Sequence, residues 1–370
     1  MISTIGVDAC CLTRHRTGVG NYVYDLLLPL CQQHPEVRWI LYSNTDIHFP
    51  DLPNVELRPN LGGWRGVFWQ NLQLPGPLRA DGCDIYWGTN GFVPIGPLGA
   101  MARVVTFHDL VYRFAPETQV GMVRWSRRLF QPLSARRSDV VTSNSDATAR
   151  DVERYYRVPS RYTVRPRVPP RYHLPDAQDV ARVRDAYALP DDFLLVVGTL
   201  EPRKNIPLFL QAAAEVRKAG VDLPLIVHAG GTGWLSAEIE QVVAEGEASG
   251  MLRRLGYVPS EDLPPLYGAC TAFCMPSIYE GFGMPILEAQ MCGAPVLHGN
   301  HASMVEAGGG LGHAFEPTLD GMKAMLRALA DGGCNLVSRV PSDMADEADE
   351  GLARLWQALC DAATAKGRAG

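Results

Sequence analysis

Asp192-Phe193-Leu194-Leu195-Val196-Val197-Gly198-Thr199-Leu200-Glu201-Pro202-Arg203-Lys204-Asn205 runs from an apolar segment to a glycine, then to a loop with two adjacent cations. A helical pattern, Pro207–Lys218, follows. Apolar run, polar loop and helix in that order make a strand–loop–helix unit, and its repetition marks a parallel α/β sheet. In such sheets ligands bind at the carboxyl ends of strands. Arg203 and Lys204 stand at that end, where a planar fork and a point charge together suit a diphosphate. A solvated, charged helix start is the alternative for the loop taken alone.

Downstream the pattern continues through strand Leu223–His228, helix Ser236–Ser249, strand Arg254–Tyr257, helix Ser260–Gly268, strand Ala272–Met275 and strand Pro295–Leu297. Upstream, strands are expected at Ile2–Val7, Arg38–Tyr42, Ile85–Trp87, Arg103–Phe107 and Val140–Ser143. Helices are expected at Asn21–Leu30 and Ala147–Tyr156, the latter preceded by the N-cap candidates Ser145 and Asp146. Pro159 to Pro175 holds five prolines and four arginines and reads as the end of one domain and a linker. Two α/β domains are expected: residues 1–172 and 173–344, with an amphipathic C-terminal helix, about 345–370, returning to the first. Neither internal repeats nor low-complexity segments stand out.

The second decisive stretch is Glu280-Gly281-Phe282-Gly283-Met284-Pro285-Ile286-Leu287-Glu288. Glycines let a backbone approach a ligand, and proline fits the first turn of a helix. A loop entering a helix N-terminus attracts phosphate through free N–H groups and the helix dipole. Glu280 is expected on the loop, free to accept hydroxyl hydrogen bonds, and Glu288 about one turn into the helix. A phosphate site between two hydroxyl acceptors has the form of a sugar-nucleotide pocket.

Three further motifs carry chemistry. Gly18-Val19-Gly20 follows the first strand; its spacing suits backbone N–H groups facing a ligand or merely a tight turn, and Val23 stands where a dinucleotide fingerprint needs its third glycine. His108-Asp109 closes a buried strand, and the Asp is expected to hold the His orientation. Gly230-Gly231-Thr232-Gly233-Trp234 is a loop that either touches ligand or simply turns. Val123–Arg137 mixes arginines with Trp125, Leu129 and Phe130, which suits either an anionic membrane surface or a solvated face.

Composition narrows the classes. The net charge of −6 and the lack of a recognition motif argue against nucleic acid. Residues 1–175 carry 20 Arg, no Lys and 14 acidic residues, a net of +6, leaving −12 on the remainder. The halves therefore suit different partners. No apolar run reaches the roughly 18 residues of a membrane helix, and the N-terminus lacks the basic start of a secretory signal. Nine scattered cysteines without a C-x-x-C pair read as free thiols of a reducing cytosol. No D-x-D triplet occurs, so no metal is expected at the phosphates.

Taken together, Gly18–Gly20, His108-Asp109, Gly198–Asn205, Leu255-Gly256-Tyr257-Val258 and Glu280–Glu288 resemble the retaining GT-B glycosyltransferases of family 4. The N-terminal pattern is similar to that of bacterial mannosyltransferases of polysaccharide assembly. The resemblance implies two Rossmann-like domains facing across a cleft, with a C-terminal helix crossing back. It implies Arg203 and Lys204 on the donor diphosphate, Glu280 on hydroxyls of the transferred sugar and Glu288 on the ribose. Gly281, Phe282, Gly283, Met284 and Ile286 would supply backbone contacts, and Tyr257 and Val258 would lie by the nucleobase. His108, with Asp109, would sit beside the reacting sugar and acceptor, near Gly18, Val19 and Gly20.

The implied activity is hexose transfer, mannose favoured, from a nucleoside diphosphate sugar (GDP-mannose or UDP-hexose) to a saccharide or lipid-linked saccharide in surface polysaccharide synthesis. The implied location is the cytoplasm, peripheral on the inner membrane face, with neither cofactor nor nucleic acid. A non-catalytic sugar-nucleotide binder is the alternative. A carboxylate-pair glycosidase has no use for the Arg203-Lys204 loop, and a hydride-transferring enzyme wants the missing glycine. Two departures from the family pattern stand out: Val305-Glu306 where proline often precedes the glutamate, and no Asn-Gly near Arg165–Pro170.

Overall fold

The computed structural model describes residues 2–16, 18–64, 66–116, 121–231, 237–334, 336–337 and 344–367. The chain divides into two compact units: Met1–Arg113 with Gln119–Arg167 and Asp343–Gly370, and Phe114–Thr118 with Val168–Ser342.

The first unit holds a seven-stranded, wholly parallel sheet in the order β3-β2-β1-β4-β5-β6-β7. Its strands are β1 Thr4–Asp8, β2 Arg38–Tyr42, β3 Val55–Arg58, β4 Ile85–Gly88, β5 Ala102–Phe107, β6 Val140–Ser143 and β7 Tyr162–Thr163. β1, β4 and β5 are buried along their whole length, so mainly apolar runs mark them in the sequence, interrupted by Asp8 at the end of β1 and by Arg103 and Thr106 in β5. β3 and β7 escape such a reading because edge strands are partly solvated and short.

Helix Asp146–Tyr156 starts as its caps dictate: the Ser145 side chain accepts from Thr148 N–H, and Arg157 ends it in a left-handed turn. The C-terminal helix Met344–Ala365 belongs to this unit. Leu352, Leu355, Leu359 and Ala362 recur at helical spacing and are buried against the sheet. Trp356 stacks on His34 at 3.4 Å, and Tyr162 donates to Asp361 at 2.6 Å.

The second unit repeats the plan with six parallel strands in the order β10-β9-β8-β11-β12-β13. They are β8 Phe193–Val197, β9 Leu225–Ala229, β10 Leu252–Gly256, β11 Ala272–Met275, β12 Val296–Gly299 and β13 His313–Phe315. β10 starts two residues before its expected place. Arg253 and Arg254 are exposed on this edge strand and obscure its apolar signature. Helix Ile206–Lys218 packs Phe209, Leu210, Ala213 and Val216 into the core.

Each sheet reverses its strand order once, between β1 and β4 and between β8 and β11. Ligands of open α/β sheets bind at such switch points. Among the described residues no helix is long and apolar enough to cross a membrane. All nine cysteines are free thiols.

Candidate active site

At the carboxyl end of β8 the chain turns through Gly198 into a short 3-10 turn, Pro202–Lys204. Asn205, left-handed at φ +58°, then starts the helix Ile206–Lys218. His228, ending β9, bonds through Nε2 to the Gly198 carbonyl at 2.7 Å, which pins this turn. Ile278 N–H donates to the Arg203 carbonyl at 2.9 Å and ties the turn to the loop after β11.

The two loops meet in an ion cluster. Arg203 Nη1 lies 2.5 Å from Glu280 Oε2, and Arg203 Nε lies 3.0 Å from Glu201. Lys204 Nζ lies 2.8 Å from Glu280 Oε1, which also accepts from Ser277 Oγ at 2.9 Å. The Lys204 and Glu280 side chains are only 12% and 11% exposed. Burial by itself pushes the Glu280 carboxyl up, but Lys204 and Arg203 outweigh it and hold the pKa at about 2. The site is therefore anionic at its centre and cationic at its rim at any physiological pH.

The expectation that Glu280 stands free on its loop is corrected here. Both of its oxygens are engaged, because a carboxylate this buried needs compensating charge. The cations that were expected to await a diphosphate are likewise held in place by Glu280.

Ser303 Oγ donates to the Glu280 carbonyl at 2.5 Å and fixes the loop from behind. Gly283 sits at φ +114°, a conformation that favours glycine, and admits the chain to the helix Met284–Met291 with Pro285 in its first turn. The expected donor contact at Ile286 is corrected. Its N–H is spent on the Gly283 carbonyl at 2.9 Å and its side chain is fully buried. Phe282 is also a core side chain. Glu288 stands on the same helix, with Tyr267 Oη donating to its Oε2 at 3.2 Å. Burial pushes its pKa up to about 7. Tyr257 is 80% exposed at the end of β10, whereas Val258 turns into the core. Gly230 N–H donates to the Gly256 carbonyl at 2.8 Å and places the two strand ends side by side. Thr232, Gly233 and Trp234 of the glycine loop lie outside the described residues.

In the first unit His108 follows β5 and is buried, with Nε2 2.7 Å from the Thr89 carbonyl. Burial lowers its pKa, so the ring is neutral, carries its proton on Nε2 and presents Nδ1 as an acceptor. Tyr22 meets the ring edge-on at 4.8 Å. Thr89 Oγ1 in turn donates to the Asp8 carbonyl at 2.8 Å, which links the ends of β1, β4 and β5. Asp109 does not orient His108, contrary to expectation. Its Oδ1 accepts from Val111 N–H at 3.0 Å and from Arg127 at 3.1 Å. A backbone carbonyl orients the imidazole instead.

Gly18 opens the helix Gly18–Gln33 and is exposed; Val19 is half-buried. A Cβ on Gly20 would lie 2.4 Å from the Cys11 carbonyl, so this glycine serves close packing of the helix on the preceding loop. Thr17 lies outside the described residues.

Several site residues are not visible in the motifs. Asp8 ends β1, buried, with Gln70 donating to it at 2.7 Å; burial raises its pKa. His301 caps the helix Ala302–Gly308 and lies 4.5 Å from the Tyr279 ring. The available signal was a polar residue closing an apolar strand, as Asp8 closes Ile5-Gly6-Val7. Among the described residues no group of three or more His, Cys, Asp or Glu is placed to hold a metal.

Two parallel-sheet Rossmann-like units, one of them with a buried Arg-Lys-Glu cluster at its switch point, define a protein of the GT-B glycosyltransferase class. The comparisons agree. Residues 180–308 match the family of group 1 glycosyl transferases, and residues 16–168 match Glycosyltransferase Family 4. Each of the two units thus carries a glycosyltransferase family match.

The chain is 35% identical over 262 residues to the O-antigen chain mannosyltransferase B of Escherichia coli, covering 67% of this chain and 65% of that protein. It is 30% identical over 244 residues to the serotype-specific mannosyltransferase WbdA of Escherichia coli, covering 62% of this chain and 29% of that one. The matched stretches are thus less than two thirds of these relatives' own length. Anabaena HepE, solved in complex with UDP and glucose, shares the fold with a TM-score of 0.67 at 16% identity, covering 100% of this chain and 98% of that one.

Proposed function

We propose that the protein transfers a hexose, mannose first among candidates, from a nucleoside diphosphate sugar to a saccharide or lipid-linked saccharide of a bacterial surface polysaccharide. The observation that carries this reading is the Arg203–Lys204–Glu280 cluster at the β8/β11 switch point. The likeness to O-antigen mannosyltransferases supports the choice of sugar and of pathway class.

On this reading the donor diphosphate docks on Arg203 and Lys204, whose positions Glu280, Glu201 and Ser277 maintain. Departure of the nucleoside diphosphate builds negative charge on phosphate. Preorganised cations and N–H groups stabilise that charge without reorganising at the moment of reaction, which is where most catalytic gain arises. Glu280 accepts hydroxyls of the transferred sugar with lone pairs not taken by the cations, and Glu288 accepts those of the ribose. Neutral His108 is the acceptor-side residue, its Nδ1 available to a sugar hydroxyl.

No described carboxylate stands unpaired as a nucleophile in the cluster, so the proposal includes same-face attack guided by the leaving phosphate, with retention of configuration and without a metal. Peripheral attachment to the inner face of the cytoplasmic membrane is the remaining part. The helix Gly121–Arg137 exposes Met122, Val123, Trp125 (51%) and Leu129 beside Arg124 and Arg128. This combination suits an anionic interface.

The test is a transfer assay with GDP-mannose and UDP-hexoses on saccharide acceptors. Product anomers are read by NMR, and the assay is repeated in chelator. A preferred donor also raises the melting temperature by mass action. Donor binding without any transfer would reduce the protein to a sugar-nucleotide binder, and an inverted anomer would remove the retaining mechanism. Flotation with anionic liposomes tests the membrane part, and a protein left at the bottom of the gradient ends it.

A further inference from the structure

The first unit carries an exposed aromatic pair that has no part in the reaction described so far. Residues 66–73 form one α-helical turn, Gly66–Phe68, followed by a π-helical turn, Trp69–Gln73. Val67, Trp69 and Gln70 are buried. Phe68 and Leu72, four residues apart on the outer face, are 43% and 65% exposed. Trp64, just before the helix, is 53% exposed, and its ring centroid lies 5.9 Å from that of Phe68 at an angle of 44°.

The pair is held in place from below. Trp69 Nε1 donates to the Leu61 carbonyl at 2.8 Å, and Trp64 N–H donates to Gln73 Oε1 at 3.2 Å, so the loop 61–64 is fastened to the helix at both ends. Rings fixed before a ligand arrives lose little freedom on binding. The pair is also tied to the strand ends by two routes. Asn44, after β2, donates to the Trp64 carbonyl at 3.0 Å and accepts from Cys10 Sγ at 3.4 Å, and Cys10 N–H donates to Asp8 Oδ1 at 3.1 Å. Gln70, next but one to Phe68, donates to Asp8 Oδ2 at 2.7 Å. From Asp8, which closes β1, hydrogen bonds through Thr89 lead on to His108.

Charge selects among ligands. No charged residue occurs from Gly66 to Leu78, whereas the exposed apolar residues of the helix Gly121–Arg137 stand among five arginines. Arg65 lies outside the described residues. An uncharged surface of flat rings suits a neutral ligand with an apolar face. The C–H face of a pyranose is such a face: its hydrogens are slightly positive and meet the negative face of an aromatic ring, while its hydroxyls stay in water.

We propose that Trp64 and Phe68, extended by Leu72, form a stacking subsite for the saccharide acceptor, holding a pyranose unit other than the one that receives the hexose. No bond forms or breaks there; the subsite gives the protein a preference for longer acceptor chains. The proposal rests on the transfer reading above and names the acceptor-side surface for it.

The experiment measures transfer from GDP-mannose to acceptors from mannobiose to mannopentaose, with the wild type, the double variant Trp64→Ala/Phe68→Ala and Phe68→Tyr. In the wild type the acceptor KM should fall with chain length. In the double variant it should rise by about tenfold for mannopentaose, the scale of one stacking contact, with kcat and donor KM unchanged. Phe68→Tyr keeps the ring and should behave as the wild type. Saturation-transfer NMR on mannopentaose without donor should mark sugar C–H protons in the wild type and lose that signal in the double variant.

Equal acceptor KM values for wild type and double variant at every length would overturn the proposal while the transfer reading stands. Lost liposome flotation or lost self-association in the double variant, with acceptor KM unchanged, would give the patch to lipid or to a second copy and overturn it equally. Absence of transfer to any saccharide would end the transfer reading; the NMR signal then decides the subsite, which stands if the signal depends on the two rings and falls if it does not.

Discussion

The two sheets end in switch points of the same topology and opposite chemistry. At β8/β11 a buried carboxylate, an arginine and a lysine neutralise one another within hydrogen-bond distance. At β1/β4/β5 the buried polar groups are a neutral imidazole, a threonine and a carboxyl whose pKa is raised by burial. Fixed charge suits a ligand that brings or develops charge, such as a diphosphate. A neutral imidazole and a hydroxyl, each anchored on a backbone carbonyl, suit a ligand of hydroxyls. On the proposed function, one architecture would serve both halves of a transfer reaction, with the strand-end residues distinguishing the two units.

That contrast can be broken by mutation, and the largest effect is expected at its charged centre. Glu280→Gln keeps the shape, leaves Arg203 and Lys204 without their shared counter-ion and should lower turnover by about 10²–10³-fold. Near-normal transfer by a folded variant would mean the cluster is structural. Lys204→Ala should weaken nucleotide affinity by about tenfold to a hundredfold, the range for losing a charge-assisted contact; an unchanged dissociation constant by calorimetry would remove lysine from the diphosphate site.

His108→Phe should separate the two ends. Turnover is expected to fall by about tenfold or more through lost positioning, with nucleotide affinity unchanged. A parallel loss of nucleotide affinity would contradict the division of labour.

The pH dependence of stability sharpens the comparison within the glutamate motif. The folded pKa of Glu280, about 2, lies below the unfolded value of 4.5. Its contribution is therefore full above pH 4.5 and is lost as pH falls toward 2. Glu288 runs the other way. Its folded pKa, about 7, lies above 4.5, so its favourable share is full below pH 4.5 and is lost as pH rises through 7. Urea midpoints measured from pH 3 to 8 should therefore lose their acid-side slope in Glu280→Gln and their neutral-side slope in Glu288→Gln. Identical pH profiles for the two variants would contradict the assigned environments.

Much of this was legible before any coordinates. β2, β6 and β11 fall on their expected residues, and Ser145 caps its helix as its position suggests. Buried central strands announce themselves because both faces must be apolar. The edge strands β3, β7 and β13 did not, since half-solvated segments carry mixed composition. The motifs single out Arg203, Lys204 and Glu280 in the sequence, but their mutual pairing was not legible there: Lys204 and Glu280 are 76 positions apart. The roles of Asp109 and Ile286 were misjudged for a related reason. Hydrogen-bond partners are chosen by local geometry, and Val111, Arg127 and Gly283 were nearer than the groups anticipated.

By itself, then, the order of residues determined two α/β units, the helix that closes the first of them and the loops in which chemistry resides. Apolar periodicity, caps and glycines act over a few residues and can be read along a line. Tertiary structure alone decided the ionisation of those loops. Two glutamates eight positions apart become a permanent anion and a carboxyl raised to about 7 because one is buried beside two cations, while burial of the other outweighs the hydrogen bond from Tyr267. Charge states of buried groups depend on distances that only folding sets.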